Sequence, residues 1–98
     1  MKVYVLRCHY SYHGEDFTRG VYMTRKSALL DQCVVLLEVL MDMDWEYEDA
    51  REIKIINKII EKDDPITVGE LIQHINVLER YADNVEVYTE VDEFTLQP

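Results

Sequence analysis

Residues 42–52, DMDWEYEDARE, gather six carboxylates, a Trp and a Tyr, with Arg51 the lone base. Three kinds of chemistry are open to such a stretch: coordination of a hard cation, acid–base work by a carboxylate pair, or attraction of a positively charged partner. The first fails on spacing. A calcium loop of the EF-hand type needs alternating oxygen ligands, a Gly at its sixth position and a Glu at its twelfth. Asp42 and Asp44 alternate, but the sixth position is Tyr47. The second discriminates nothing, because a carboxylate pair can be drawn at will from twenty acids. The third remains.

Other reactive residues point away from an enzyme. Cys8, His9 and His13 suggest a metal, yet neighbours on a strand face opposite ways, and no second ligand pair of the C-x2-C kind follows. Ser11 and Ser27 lack the G-x-S-x-G elbow. Three scattered glycines exclude a phosphate-binding loop and a dinucleotide fingerprint. His74, beside Glu70 and Leu78, reads as a surface histidine. Neither metal nor cofactor is expected.

Charge is the distinguishing feature. The chain of 98 residues carries −10, and the split along it is uneven. Residues 1–41 hold four acids and five bases, whereas residues 42–98 hold sixteen acids and five bases. Such a balance argues against direct binding of nucleic acid, which needs a basic footprint. It suits a basic protein partner. The candidate contact residues are Asp42, Asp44, Glu46, Tyr47, Glu48 and Asp49, joined by Glu86, Tyr88 and Glu90 if the fold brings them together. Aromatics among the acids favour an interface, since interface anchors are rich in Tyr and Trp. The competing reading is a solvated connection that only keeps the chain soluble, with Trp45 plugging the core. A second cluster, Arg51, Lys54, Lys58 and Lys62, recurs at helical spacing. It is the alternative ligand-binding set, for a phosphate between subunits, against a plain solvated helix face.

These residues must be positioned by a small number of elements. KVYVLRCHYSY reads as a strand with Tyr4, Leu6, Cys8 and Tyr10 on one face and Val3, Val5, Arg7 and His9 on the other. HGEDFTRG supplies turn residues and GVYMT a short returning strand, making a β-hairpin. Thr24 caps a helix running to about Met41, whose apolar stripe is Leu30, Cys33, Val34, Leu37 and Met41, widened by Leu29, Leu36 and Leu40. DAREIKIINKIIEK predicts a second helix, ended by Pro65. In ITVGEL, Thr67 and Glu70 form a capping box and Ile66 with Leu71 a hydrophobic staple, opening a third helix to about Tyr81. VEVYTEV then alternates as a strand, with Val85, Val87 and Val91 opposite Glu86, Tyr88 and Glu90. The expected fold is α+β, one domain over residues 1–98: an N-terminal β-hairpin, three helices and a C-terminal strand joining a small antiparallel sheet, ββαααβ.

Two cysteines are too few for a disulfide scaffold, no signal-peptide pattern opens the chain, and Glu38 interrupts the longest apolar run, CVVLLEVLM. A cytoplasmic protein without a membrane role is expected.

VYVLRCHYSYHGEDFTRGVYMTRKSAL resembles the hairpin-then-helix opening of many small phage-encoded open reading frames, and ITVGELIQHI with NVEVYTE resembles a capped helix leading into a strand in others. Together the two pieces touch about half of the chain. The resemblance implies an accessory protein of a phage or other mobile element, acting in the host cytoplasm. Among acidic proteins of that origin, inhibitors of host defence, anti-CRISPR and anti-restriction proteins included, are a leading class. The expectation is thus a non-enzymatic inhibitor whose acidic surface, imitating nucleic acid, occludes a basic host protein. The other two readings are an oligomeric nucleotide or small-ligand sponge and a structural or regulatory homodimer, the latter permitted by the wide apolar coverage of the first helix.

Overall fold

The computed structural model describes residues 1–11, 14–42, 58, 66–82 and 86–96. In chain order these form β1 (Lys2–Tyr10), β2 (Glu15–Tyr22), α1 (Arg25–Asp42), α2 (Val68–Ala82) and β3 (Val87–Thr95). The strands make one sheet in the order β2-β1-β3, with both pairings antiparallel. This is an α+β arrangement, but the expectation of three helices is corrected: among the described residues there are two, in the order ββααβ. The predicted middle helix falls on residues 49–62, which lie outside the described residues except for Lys58.

The hairpin also differs from its prediction. β2 begins at Glu15, inside the segment read as turn. Gly14 closes the connection, with φ 64° and its N–H donating to the Ser11 carbonyl at 3.1 Å. A positive φ suits glycine, which has no Cβ to clash. Once the turn closes there, Glu15 falls opposite Tyr10 and the polar residues that follow pair with β1. They can be polar because this strand is an edge, and Glu15 through Arg19 are all exposed. A bulge follows: Leu6 pairs with Gly20 and Arg7 with Thr18, leaving Arg19 as the extra residue. At Gly20 a Cβ would stand 2.6 Å from the Tyr22 hydroxyl, so the missing side chain lets the Tyr22 ring lie back over the strand.

Both helices start where a threonine can replace an absent helical partner. The Thr24 hydroxyl accepts from the Ser27 N–H at 3.1 Å, and the Thr67 hydroxyl accepts from the Glu70 N–H at 3.1 Å. Thr67 also donates to the Glu70 carboxylate at 3.1 Å. Each bond satisfies an N–H that the first turn leaves without an acceptor.

The core is organised around α1. Leu29, Cys33, Leu36, Leu37 and Leu40 pack with Leu71, Ile75, Leu78 and Ala82 of α2 and with Val87 of β3. Val35 instead packs with Leu6 and Cys8 of β1. The stripe read from spacing is buried at Leu29, Cys33, Leu36, Leu37 and Leu40, and contact with the sheet adds a second side that spacing did not show. Ala28, Gln32 and Val35 are buried, whereas Leu30 and Val34 are only partly so. Among the described residues Gln32 is the buried polar side chain, and its Nε2 donates to Thr89 Oγ1 at 2.9 Å and to Glu79 Oε1 at 3.4 Å. Cys8 and Cys33 are both buried and neither is in a disulfide, and burial pushes the Cys8 thiol up. Among the described residues, no helix is long and apolar enough to cross a membrane.

Two substitutions separate these contributions. Leu36→Ala, at a side chain with no exposed surface, is expected to cost about 2–5 kcal/mol of unfolding free energy. Thr67→Ala, which removes only the cap, is expected to cost about 1 kcal/mol. Denaturant unfolding of both variants checks the ranking, and equal losses would contradict the packing described.

Candidate interaction surface on the sheet face away from the described helices

Alternation along β1 sends Leu6 and Cys8 towards the helices, so Val3, Val5, Arg7 and His9 occupy the opposite face. The register then builds rows across that face. His9 lies between Asp16 and Tyr88, Arg7 between Thr18 and Glu90, Val5 between Val21 and Asp92, and Phe94 stands opposite Val3. Neither described helix covers these rows, and the face has two unlike ends.

At the hairpin end the groups are polar and aromatic. His9 Nδ1 is hydrogen-bonded to Asp16 Oδ1. The His9 ring stacks on Tyr88, with centroids 6.2 Å apart and planes at 22°. The Arg7 Nε donates to Asp92 Oδ2 at 3.3 Å and lies 3.6 Å from Glu90 Oε1. Arg7, His9, Asp16, Phe17, Tyr88 and Glu90 line an open groove of about 640 Å³. Three carboxylates thus share this end with one guanidinium. Exposed ion pairs of this kind contribute little to stability and exchange readily with other partners. The arrangement suits the reception of a cationic group: negative charge on two sides of an aromatic ring whose face can meet a cation. Among the described residues, no group of three or more His, Cys, Asp or Glu side chains is placed to hold a metal ion.

The site residues expected from sequence are distributed unevenly. Tyr88 and Glu90 share the face away from the described helices, and Tyr88 is 47% exposed. Glu86 does not belong to that row: it is exposed in the turn before β3, at φ 57°, and its carbonyl accepts from the Ser11 N–H at 3.0 Å. This corrects its assignment to a strand face. Asp42 ends α1, while Asp44, Glu46, Tyr47, Glu48 and Asp49 lie outside the described residues. Of the alternative set, Lys58 is exposed and Arg51, Lys54 and Lys62 lie outside the described residues. Sequence reasoning did not place Asp16 or Arg7 in one site with Tyr88. The alternation put Arg7 and His9 on one face, but only the strand pairing says which residues stand beside them.

The edge strand that carries Asp16 and Val21 is held to α1 by a polar cluster on the other face. Asp31 of α1 accepts from Arg19 Nε at 3.3 Å and from the Tyr22 hydroxyl. Burial first, and this hydrogen bond second, push the Tyr22 hydroxyl up to about 12.

No protein-family model, curated protein or solved structure matches the chain.

The Tyr22 shift has a definite sign. An unfolded tyrosine ionises near 10, so between about pH 10 and 12 the unfolded state releases the proton first and stability falls as pH rises. Tyr22→Phe is expected to flatten that part of the decline. Unfolding midpoints measured across this range for both proteins check it, and parallel curves would contradict the anchor.

Proposed function

We propose that the protein is a non-enzymatic binding protein that docks on a basic, nucleic-acid-handling surface of another protein and blocks it. In this reading it is an accessory product of a phage or other mobile element and acts in the host cytoplasm as an inhibitor of host defence. The observation that carries it is local. Tyr88, exposed and stacked on His9, stands among Asp16, Glu90 and Asp92 on a sheet face that the described helices leave open. Surfaces that only keep a protein in solution have no need of an exposed aromatic, whereas interface anchors are rich in them. The excess of acids draws a cationic surface in from a distance, and the ring supplies contact area once the surfaces meet.

Asp42, Asp44, Glu46, Tyr47, Glu48 and Asp49 extend the same reading, as further anionic and aromatic contacts for that partner. The alternative phosphate set at Arg51, Lys54, Lys58 and Lys62 gains no support from the geometry described.

The test is capture of a partner from host lysate, followed by measurement of affinity at low and raised salt. Tyr88→Ala is expected to weaken binding by at least about thirtyfold, the effect of losing one hot spot. Glu90→Lys is expected to slow association and reduce its salt dependence. Affinity that ignores salt, and is untouched by both changes, would remove the proposal.

A further inference from the structure

One side of the described sheet ends at β3, the last strand in the order β2-β1-β3. The Leu96 N–H donates to the Met1 carbonyl at 2.7 Å, and the Ser11 N–H donates to the Glu86 carbonyl at 3.0 Å. Between these two bonds the register of β1 with β3 runs without a shift. In an antiparallel ladder, residues bonded to the neighbour alternate with residues whose N–H and C=O point away from it. The two terminal bonds therefore fix the phase. Even-numbered residues of β3 turn their backbone groups to β1, and odd-numbered ones turn theirs outward. Thr89, Val91, Glu93 and Thr95 each present an N–H and a C=O along this edge, and no described strand pairs with them. The opposite edge strand, β2, is interrupted by Gly20 and a bulge at Arg19, devices that blunt an edge. β3 has no Gly, no Pro and no bulge. The device it does carry is charge, and charge is selective.

We infer that an extended basic segment of the partner protein adds to this edge as a further, antiparallel strand. The inference rests on the reading that the partner is basic, and it names how the contact is made. Tyr88, Glu90, Asp92 and Phe94 alternate onto one face of β3. A strand laid beside them sets its own alternate side chains about 5 Å away, so Lys or Arg at every second position meets Glu90 and Asp92. β1 already makes this match from the other side. Its Arg7 lies 3.6 Å from Glu90 and 3.3 Å from Asp92, and its Lys2 lies 3.7 Å from Glu93. Glu90 and Glu93 nevertheless stay 62% and 50% exposed, open to a second cation.

The same charges exclude a second copy of this chain. In an antiparallel pairing of two β3 strands, any twofold axis between Glu90 and Glu93 sets carboxylate opposite carboxylate, and like charges directly opposite are destabilising. A basic strand gains both the backbone ladder and the ion pairs. An acidic strand gains the ladder against repulsion.

The probe that tests this is a peptide of nine residues, the length of β3, alternating Thr with Lys and blocked at both ends. Amide hydrogen exchange of the full chain is followed residue by residue by NMR. With the peptide bound, exchange at Thr89, Val91, Glu93 and Thr95 is expected to slow at least about tenfold. Glu90, Asp92 and Phe94, already bonded to β1, are expected to change little. In the antiparallel ladder the Thr residues of the peptide bond β3, and its Lys N–H groups point away. N-methylation of the Thr residues is expected to weaken binding at least about tenfold, and N-methylation of the Lys residues to leave it unchanged. Equal affinity of the two methylated peptides, or binding without protection of the odd-numbered amides, overturns strand addition while leaving an electrostatic docking contact intact. A Thr–Glu peptide that binds equally well overturns the charge selection. No binding of the Thr–Lys peptide at about 1 mM overturns the inference as well, whereas the docking reading is decided separately by lysate capture and its salt dependence.

Discussion

The placement of α1 between the sheet and α2 is the constraint from which the other features follow. Its side chains Leu29, Cys33, Leu36 and Leu40 meet α2, and Val35 meets Leu6 and Cys8. A helix buried on both sides must lie in the middle layer, so α2 stacks outside it and reaches the sheet only at its β3 side. The described layers are thus sheet, helix, helix. One face of the sheet is consumed by packing, and the other is left without a described partner. A domain this small buries a modest share of its chain, and its apolar residues are mostly needed inside.

Inside the protein, polar groups act as fasteners between the layers. Gln32 is buried on α1 and joins Thr89 of β3 to Glu79 of α2, so one amide ties three elements together. Asp31, its neighbour in the chain, points to β2 and receives Arg19 and Tyr22. Removing one partner of a buried polar pair costs the desolvation of the group left behind. The buried Gln32 therefore ties β3 to α1, while the exposed and part-buried bonds of Asp31 add a weaker tie to β2.

Much of the local structure was legible because local signals carry it. The Thr67–Glu70 capping box and the Thr24 cap were readable from three-residue spacings, and the strand alternation at Leu6 and Cys8 from a two-residue period. Failures arose where the deciding contact is distant. The start of β2 at Glu15 depends on Gly14 closing a turn to Ser11, while the acids after it look like loop residues in isolation. Spacing finds the side of α1 that packs on α2, with Leu29, Cys33, Leu36, Leu37 and Leu40 buried, and misses the side at Val35 that packs on β1. Of the candidate site, Tyr88 and Glu90 could be placed on a common face by alternation. Their neighbours across the sheet could not, since the pairing of β3 with β1, which joins residues far apart in the chain, and the turn at Gly14 decide which side chains stand beside Arg7 and His9.

The uneven charge along the chain also changes meaning once the chain is folded. In sequence, a near-neutral front portion precedes a strongly anionic remainder. In space, β1 lies beside β3, so bases of the front portion meet acids of the rear: Lys2 lies 3.7 Å from Glu93, and Arg7 bridges Glu90 and Asp92. Part of the asymmetry is cancelled by strand pairing. What survives on the face away from the described helices is a local excess at the hairpin end, where Asp16 meets His9 and where one guanidinium serves two carboxylates. In the proposed docking, a cationic side chain arriving there would compete with Arg7 for Glu90 and Asp92 and gain the Tyr88 ring besides, so that selectivity would follow from the geometry of four side chains more than from the total charge of the molecule.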